Sequence, residues 1–253
     1  SELARLQPAE ILMGDDQKVV LPDSWQKKVT YINAWQFDSD SCFALLCRFF
    51  AVQDLLSFGL NRKEHALAIS AAGALLYYVQ TTQDELPQHL DQLLLEASDA
   101  YLQLDSASRR NLELSCTLRG DASPTLFSSL DACATHMGSR LLKQWIHMPL
   151  REQNQVKSRQ EAVAELITLH KEEGEYPLKE LADIERIVSR IALKTARPRD
   201  LAALRASLLL LEQLPKAGKR LSSLLQLIEE TLPKGRVVAD HLQTALADEP
   251  AVW

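Results

Sequence analysis

Four basic residues recur at helical spacing in the second half of the chain. They fall within about 80° of one another on a helical wheel of roughly 100° per residue, and they are Arg186, Arg190, Lys194 and Arg197. Such a cationic stripe could attract DNA phosphates or dock against another part of a larger protein. The alternative is a solvated helix face whose basic residues pair with Asp183, Glu185 and Asp200, each pair contributing little stability.

Other residue types with catalytic or metal-binding chemistry are not grouped along the sequence. The four cysteines form no Cys-x-x-Cys pair and are predicted to be reduced thiols, mostly small core residues: Cys42, Cys47, Cys116 and Cys133. His136 and His147 lack an acidic or thiol partner at ligand spacing, which favours packed or surface side chains. Paired carboxylates such as Asp15-Asp16 have no nucleophile or base organised around them. We therefore expect no catalytic residue, no metal and no cofactor in these residues.

The elements that position these side chains divide the chain in two. Residues 1–100 predict a mixed α/β domain, with a strand at 10–13 closed by the turn at Gly14, a helix at 41–55 capped by Asp40 or Ser41, and a helix at 64–81. Leu93 to Leu95 and Ala100 to Leu104 predict two further short strands. The small residues around Gly73 predict close approach of a neighbouring backbone.

Residues 101–253 predict an all-α domain, so the fold class is α+β overall. Asp105 should cap the first helix, and Pro149 should end a helix that begins at Met137. On that helix a core-facing apolar stripe is expected, made of Met137, Leu141, Trp145 and Met148. Further helices are predicted at 154–169, 177–196, 198–214, 221–230 and 237–247, with Pro198 in a first turn.

Charge is unevenly distributed. Residues 1–132 carry 10 Lys+Arg against 18 Asp+Glu, residues 133–220 carry 16 against 11, and residues 221–253 carry 2 against 5, which gives the overall net charge of −6. An acidic chain with one basic block is not typical of a freestanding DNA-binding domain. Apolar runs such as Leu208 to Leu211 are far shorter than the roughly 20 residues that cross a bilayer, so we expect a cytoplasmic protein without membrane contact.

Several consecutive motifs resemble the central region of the MutS family of DNA mismatch-recognition ATPases. They are Arg110-Asn111-Leu112-Glu113, then Thr125 to Asp131, then Met137-Gly138-Ser139-Arg140-Leu141-Leu142 with Trp145, and finally Ala192 to Leu201 with Pro198. The family signature residues Asn111, Gly138, Ser139, Arg140 and Pro198 are accordingly expected to have structural roles. The resemblance extends upstream to Pro8-Ala9-Glu10 and covers nearly the whole sequence.

The resemblance implies a ribonuclease H-like connector domain at 1–100, without its first strands, and a helical core and lever domain at 101–253 that ends before the clamp. The intact family member would bind mismatched double-stranded DNA, ATP and Mg, associate with MutL, chiefly through the connector, and form a homodimer. Neither a Gly-x-x-x-x-Gly-Lys-Ser/Thr phosphate loop nor the family's Phe-x-Glu mismatch reader occurs in these 253 residues. The chain is thus expected to be a non-catalytic middle region of an ATPase.

Two alternatives belong to other functional classes. A helical protein-interaction scaffold from a MutS paralogue acting outside mismatch repair would share the same motifs. An enzyme using the ribonuclease H-like part would need clustered carboxylates around a divalent metal, and the dispersed acidic residues of 1–104 offer no such motif. Because the family contacts DNA mainly through its mismatch reader and clamp, we favour an intramolecular or solvated role for the basic stripe.

Overall fold

The fold consists of two compact units, Ser1–Ala97 and Ser98–Trp253. A computed structural model describes residues 3, 6, 8–83, 90–96, 100–173, 177–212, 222–231 and 235–247. The first unit contains a small sheet and helices, whereas the second is built from helices. This confirms the α+β class.

The sheet of the first unit has two parallel strands. Strand β1, Ile11–Gly14, pairs with β2, Val29–Ile32, with Ile11 opposite Val29 and Gly14 opposite Ile32. A short helix, α1 (Asp23–Gln26), lies in the connection. Of these two strands, the sequence predicted only β1. The Asp15 carboxylate accepts a 2.9 Å hydrogen bond from the backbone N–H of Ala34 and so fixes the turn after β1 against the 3₁₀ turn Ala34–Phe37.

Two helices provide the core of this unit: α2, Ser39–Phe49, and α3, Ala66–Thr82. Its buried side chains are Cys42, Leu46, Leu55, Leu60, Ile69 and Leu76. The predicted close approach at Gly73 is confirmed, since a Cβ added there would lie 2.7 Å from the Cα of Cys42. Any larger residue would push the two helices apart.

The bounds predicted for α2 were wrong at both ends. Asp38, not Asp40 or Ser41, caps the helix, because its carboxylate accepts from the backbone N–H and the hydroxyl of Ser41. The helix stops at Phe49, and Ala51 adopts a left-handed backbone with φ 53°. Leu55 instead begins a separate 3₁₀ turn, Leu55–Phe58, which ends at Gly59 with φ 73°.

The strands predicted near residue 100 are also absent from the described residues. Residues 90–96 have no regular structure, and Leu93 packs against the hydrophobic core of the first unit. In the second unit Tyr101 forms one isolated antiparallel bridge with Leu150. Leu93 thus gains stability from partial burial, whereas Leu94 and Leu102 are 81% and 50% exposed, and the described residues contain no neighbouring strand to extend a ladder.

The second unit is a succession of helices. They are α4 (Ser106–Asn111), α5 (Leu126–Leu130), α6 (His136–His147), α7 (Gln153–Glu173), α8 (Ile184–Ala192), α9 (Pro198–Glu212), α10 (Ser223–Thr231) and α11 (Arg236–Ala245). The predicted cap at Asp105 is confirmed by a 2.6 Å bond from the backbone N–H of Ser108. Pro198 begins α9 as expected. Within the described residues, no helix is both long and apolar enough to cross a membrane.

Two predictions for this unit were wrong. The helix expected at 177–196 is interrupted, because a 3₁₀ turn, Leu178–Glu180, precedes a new helix start capped by Asp183. The stripe on α6 does not face a core, since Leu141 and Trp145 are 47% and 38% exposed. The Arg159 guanidinium lies 4.0 Å from the centre of the Trp145 ring and covers part of it.

Candidate functional site

The first two signature motifs meet through their backbones. Glu113 and Leu114 accept hydrogen bonds from the N–H groups of Leu126 and Phe127 at 3.1 and 2.9 Å. Thr125 is buried, and its hydroxyl accepts from the N–H of Ser128, whose own hydroxyl accepts from the N–H of Thr125. This capping box fixes the start of α5, and the backbone bonds of Leu126 and Phe127 hold it against the residues that follow α4. Asn111, the last residue of α4, is exposed.

The third motif begins at the N-terminus of α6. Thr135 caps the helix by accepting a 3.0 Å bond from the N–H of Gly138, and Ser139 donates to the Asp131 carboxylate at 3.0 Å. A Cβ at Gly138 would lie 3.1 Å from the Thr135 hydroxyl and 3.3 Å from the Cβ of Cys133. The close approach at Gly138 therefore involves the loop before its own helix.

Arg140 connects α6 with the start of α8. Its Nη1 and Nη2 donate to the two carboxylate oxygens of Asp183, each at 2.7 Å, and its Nη2 also donates to Glu185 at 2.5 Å. The hydrogen bonds from Arg140 lower the pKa of Asp183 to about 2. The bonds to Asp183 and Glu185 in turn raise the pKa of the Arg140 guanidinium. This bidentate pair is a charged, geometrically specific link between elements 43 residues apart.

The four basic residues of the predicted stripe do not lie on one helix. Helix α8 ends at Ala192, and Lys194 has φ 55°, so Arg197 begins a new segment before α9. Arg186 lies 3.5 Å from Asp183, and Arg190 makes bonds of 3.0 and 3.1 Å to Asp200. A continuous helical stripe was thus a wrong prediction. The expected pairing with Asp183 and Asp200 is observed for Arg186 and Arg190, whereas Glu185 pairs with Arg140.

A second junction, which the sequence did not reveal, surrounds His147. Arg109 donates to the His147 carbonyl at 2.7 Å, and its Nη1 lies 3.3 Å from the imidazole Nδ1. Because a guanidinium only donates, Nδ1 accepts and Nε2 carries the proton toward the Ser115 hydroxyl, 2.8 Å away. A serine in that position gains no base to activate it, so this Ser–His contact is a structural link between the segment that follows α4 and the end of α6.

The remaining residues with reactive chemistry are dispersed. Cys42 is buried and burial raises the pKa of its thiol, while Cys47 is half-buried. Cys116 and Cys133 are exposed, which corrects the prediction of mostly core cysteines. Across the described residues, no group of three or more His, Cys, Asp or Glu side chains is arranged to hold a metal ion. The clustered polar residues instead form helix caps and ion pairs within and beside the signature motifs.

Comparison with protein families matches both parts of the chain. The family model of MutS domain II matches residues 1–92, and that of MutS domain III matches residues 107–253. The second match alone covers more than half of the sequence and includes all the signature residues whose geometry is described above. The order of the two matches agrees with the order of the two compact units. The chain therefore belongs to the MutS family of DNA mismatch-repair proteins.

Proposed function

We propose that this chain supplies the connector and the core with its lever helices in a mismatch-recognition ATPase. Its function there is mechanical: it links binding of mismatched DNA to ATP-driven conformational change and to the start of repair. The observation that carries this proposal is the paired match to MutS domains II and III, in that order, over two compact units. Helices fixed to one another by specific polar links suit the transmission of rigid-body motion.

The chain itself has no catalytic role in this proposal. ATP and Mg belong to the intact protein, where they would bind outside these residues, and the intact protein would be a cytoplasmic homodimer. The signature residues act structurally: Ser139 and Arg140 fix the position of α6, and Pro198 starts α9. The basic residues also act within the molecule, which the pairs Arg186–Asp183 and Arg190–Asp200 support.

The experiment compares the intact protein with the chain alone on labelled duplexes. The intact protein should prefer a G·T mismatch over perfect DNA and should release it when Mg-ATP is added. The 253-residue chain should show neither a preference nor ATP binding, and any weak attraction to DNA should disappear as salt rises, since only phosphate contacts would remain.

Two other results would support a different function or overturn the proposal. An intact protein that ignores mismatches but still binds protein partners would support the scaffold of a paralogue acting outside mismatch repair. A tenfold preference of the chain alone for the G·T duplex at physiological salt would overturn the proposal, because mismatch recognition would then reside in residues assigned here to the connector and core.

A further inference from the structure

Helix α8 is fixed at its N-terminal end by residues from two other helices. The Arg140 guanidinium of α6 makes its bidentate contact with Asp183, whose carboxylate also accepts from the backbone N–H of Arg186 and so caps α8. One residue earlier, the N–H of Ala182 donates at 3.0 Å to the hydroxyl of Ser207, a fully buried residue of α9. The start of α8 is therefore joined to both α6 and α9.

The C-terminal end of α8 is fixed to the start of α9. Arg190 donates through Nε and Nη2 to the two oxygens of Asp200 at 3.1 and 3.0 Å. The Asp200 carboxylate also accepts from the N–H of Arg197, and the backbone carbonyl of Arg190 accepts from Thr195 at 2.8 Å. The turn between α8 and α9 is thus closed around one arginine and one aspartate.

Apolar burial alone gives α8 little support. Among its side chains Ile187 is buried, whereas Val188 and Ile191 are 51% and 40% exposed. A helix of nine residues is too short to be stable by itself. The two aspartates, by contrast, are only 15% and 16% exposed, so their bidentate bonds are better shielded from water than ordinary surface pairs.

We propose that Arg140 and Arg190 are positioning residues that hold α8 at its two ends. As a result, α6, α8 and α9 move as one body. Each acts through an aspartate at a helix start: Arg140 through Asp183, and Arg190 through Asp200. Arginine suits this role because its planar fork engages both oxygens of a carboxylate at once. The inference does not depend on ATP or DNA binding by the intact protein.

This role of the two arginines is tested by hydrogen exchange with mass spectrometry on the whole 253-residue chain. In Arg140→Gln and Arg190→Gln, amides of α8 should exchange about tenfold faster, while amides of α7 keep their rates. Arg140→Lys should give an intermediate rate, since lysine keeps the charge but loses the fork. The matched control is Arg236→Gln, which removes a more exposed arginine that pairs with Glu212 of α9 and with Asp240 of its own helix, α11, and should leave α8 unchanged.

Two results with the variants would overturn this role of the arginines. Unchanged exchange in α8 would mean that the ion pairs do not hold it, and equal acceleration in α7 and α8 would mean that the arginines stabilise the unit generally. A salt series on the unaltered chain remains informative should a variant not fold. Rising NaCl should accelerate exchange in α8 more than in α7, because ion pairs are screened. Absence of that difference would also contradict the proposal.

Discussion

At the scale of single residues, the Asp183 carboxylate takes part in three interactions. Asp183 caps α8, accepts both bonds of the Arg140 fork and lies 3.5 Å from Arg186. Arg140 also pairs with Glu185, so its guanidinium has two anionic partners. A signature arginine is thereby connected to the beginning of a helix that carries part of another signature segment, which gives a physical reason for arginine at position 140.

The lowered pKa of Asp183 predicts a defined dependence of stability on pH. Its ordinary value of 3.8 falls to about 2 in the folded protein, so the stabilisation is complete above pH 4 and is lost as pH falls toward 2. In Asp183→Asn the cap should persist, since asparagine caps nearly as well. Urea midpoints should therefore differ between the unaltered chain and the variant by a constant amount from pH 5 to 7, with the difference shrinking below pH 4.

The control for this prediction is Asp40→Asn, which removes the exposed pair between Arg62 and Asp40 in the first unit. Its effect on the midpoint should be small at every pH, because exposed pairs contribute little. A difference for Asp183→Asn that stays constant down to pH 2.5 would show that the substitution disturbs the geometry of the cap rather than removing a charge.

At the scale of elements, the start of α5 depends on one hydroxyl. In Thr125→Val the N–H groups of Thr125 and Ser128 remain, but the N–H of Ser128 loses the hydroxyl of a buried side chain as its acceptor. The substitution should reduce the free energy of unfolding by about 1–2 kcal/mol, the usual effect of losing a cap. Equilibrium urea unfolding, followed by circular dichroism, measures it.

Thr168→Val is the matched control. Thr168 is exposed in the middle of α7, where its hydroxyl donates to the carbonyl of Ala164. The change keeps the side-chain shape and leaves no buried group without a partner, so stability should shift by no more than about 0.5 kcal/mol. Equal losses in the two variants would argue against a special role for the capping box in the second motif.

Elements were predictable wherever the signal was local. The cap at Asp105, the helix start at Pro198 and the strand at Ile11 could each be read from neighbouring residues, and Gly73 stands in a run of small residues. Strand β2 was missed because its four residues carry little periodicity and no glycine turn closes them, as Gly14 closes β1. The helix predicted at 177–196 failed for a related reason: its apolar spacing continues, but Asp183 caps a new helix start at Ile184, and its carboxylate is held by Arg140 of α6.

The candidate site, like the elements, could be predicted from the sequence only in part. The motifs that identify the family could be read from the sequence, and their residues have the structural positions described above. The long-range contacts around these motifs could not be read from the sequence, since Arg140 and Asp183 are 43 residues apart and Arg109 and His147 are 38 apart. The helical wheel also placed Lys194 and Arg197 on the same helix as Arg190, although α8 ends at Ala192, because the left-handed backbone of Lys194 leaves no mark in the apolar periodicity.

At the scale of the whole molecule, the two units differ in charge. Residues 1–97 carry 7 Lys+Arg against 13 Asp+Glu, whereas the basic block lies in the helical unit. Charge of one sign favours association with a surface of the opposite sign and makes that association sensitive to salt. We therefore predict that the first unit supplies the contact with MutL and that this contact involves a basic surface of the partner.

The prediction is tested by charge reversal in the whole chain, immobilised and exposed to MutL from the same organism. Changing three exposed carboxylates of the first unit to lysine, Asp16, Asp23 and Glu64, should weaken binding about tenfold at low salt, and the difference should narrow as salt rises. The matched control changes three exposed carboxylates of the helical unit, Glu161, Glu180 and Glu230. Equal losses would assign the attraction to overall charge, and a larger loss in the control would place the MutL surface on the helices. Retention of full affinity by the first variant would show that the acidic surface of residues 1–97 does not guide MutL.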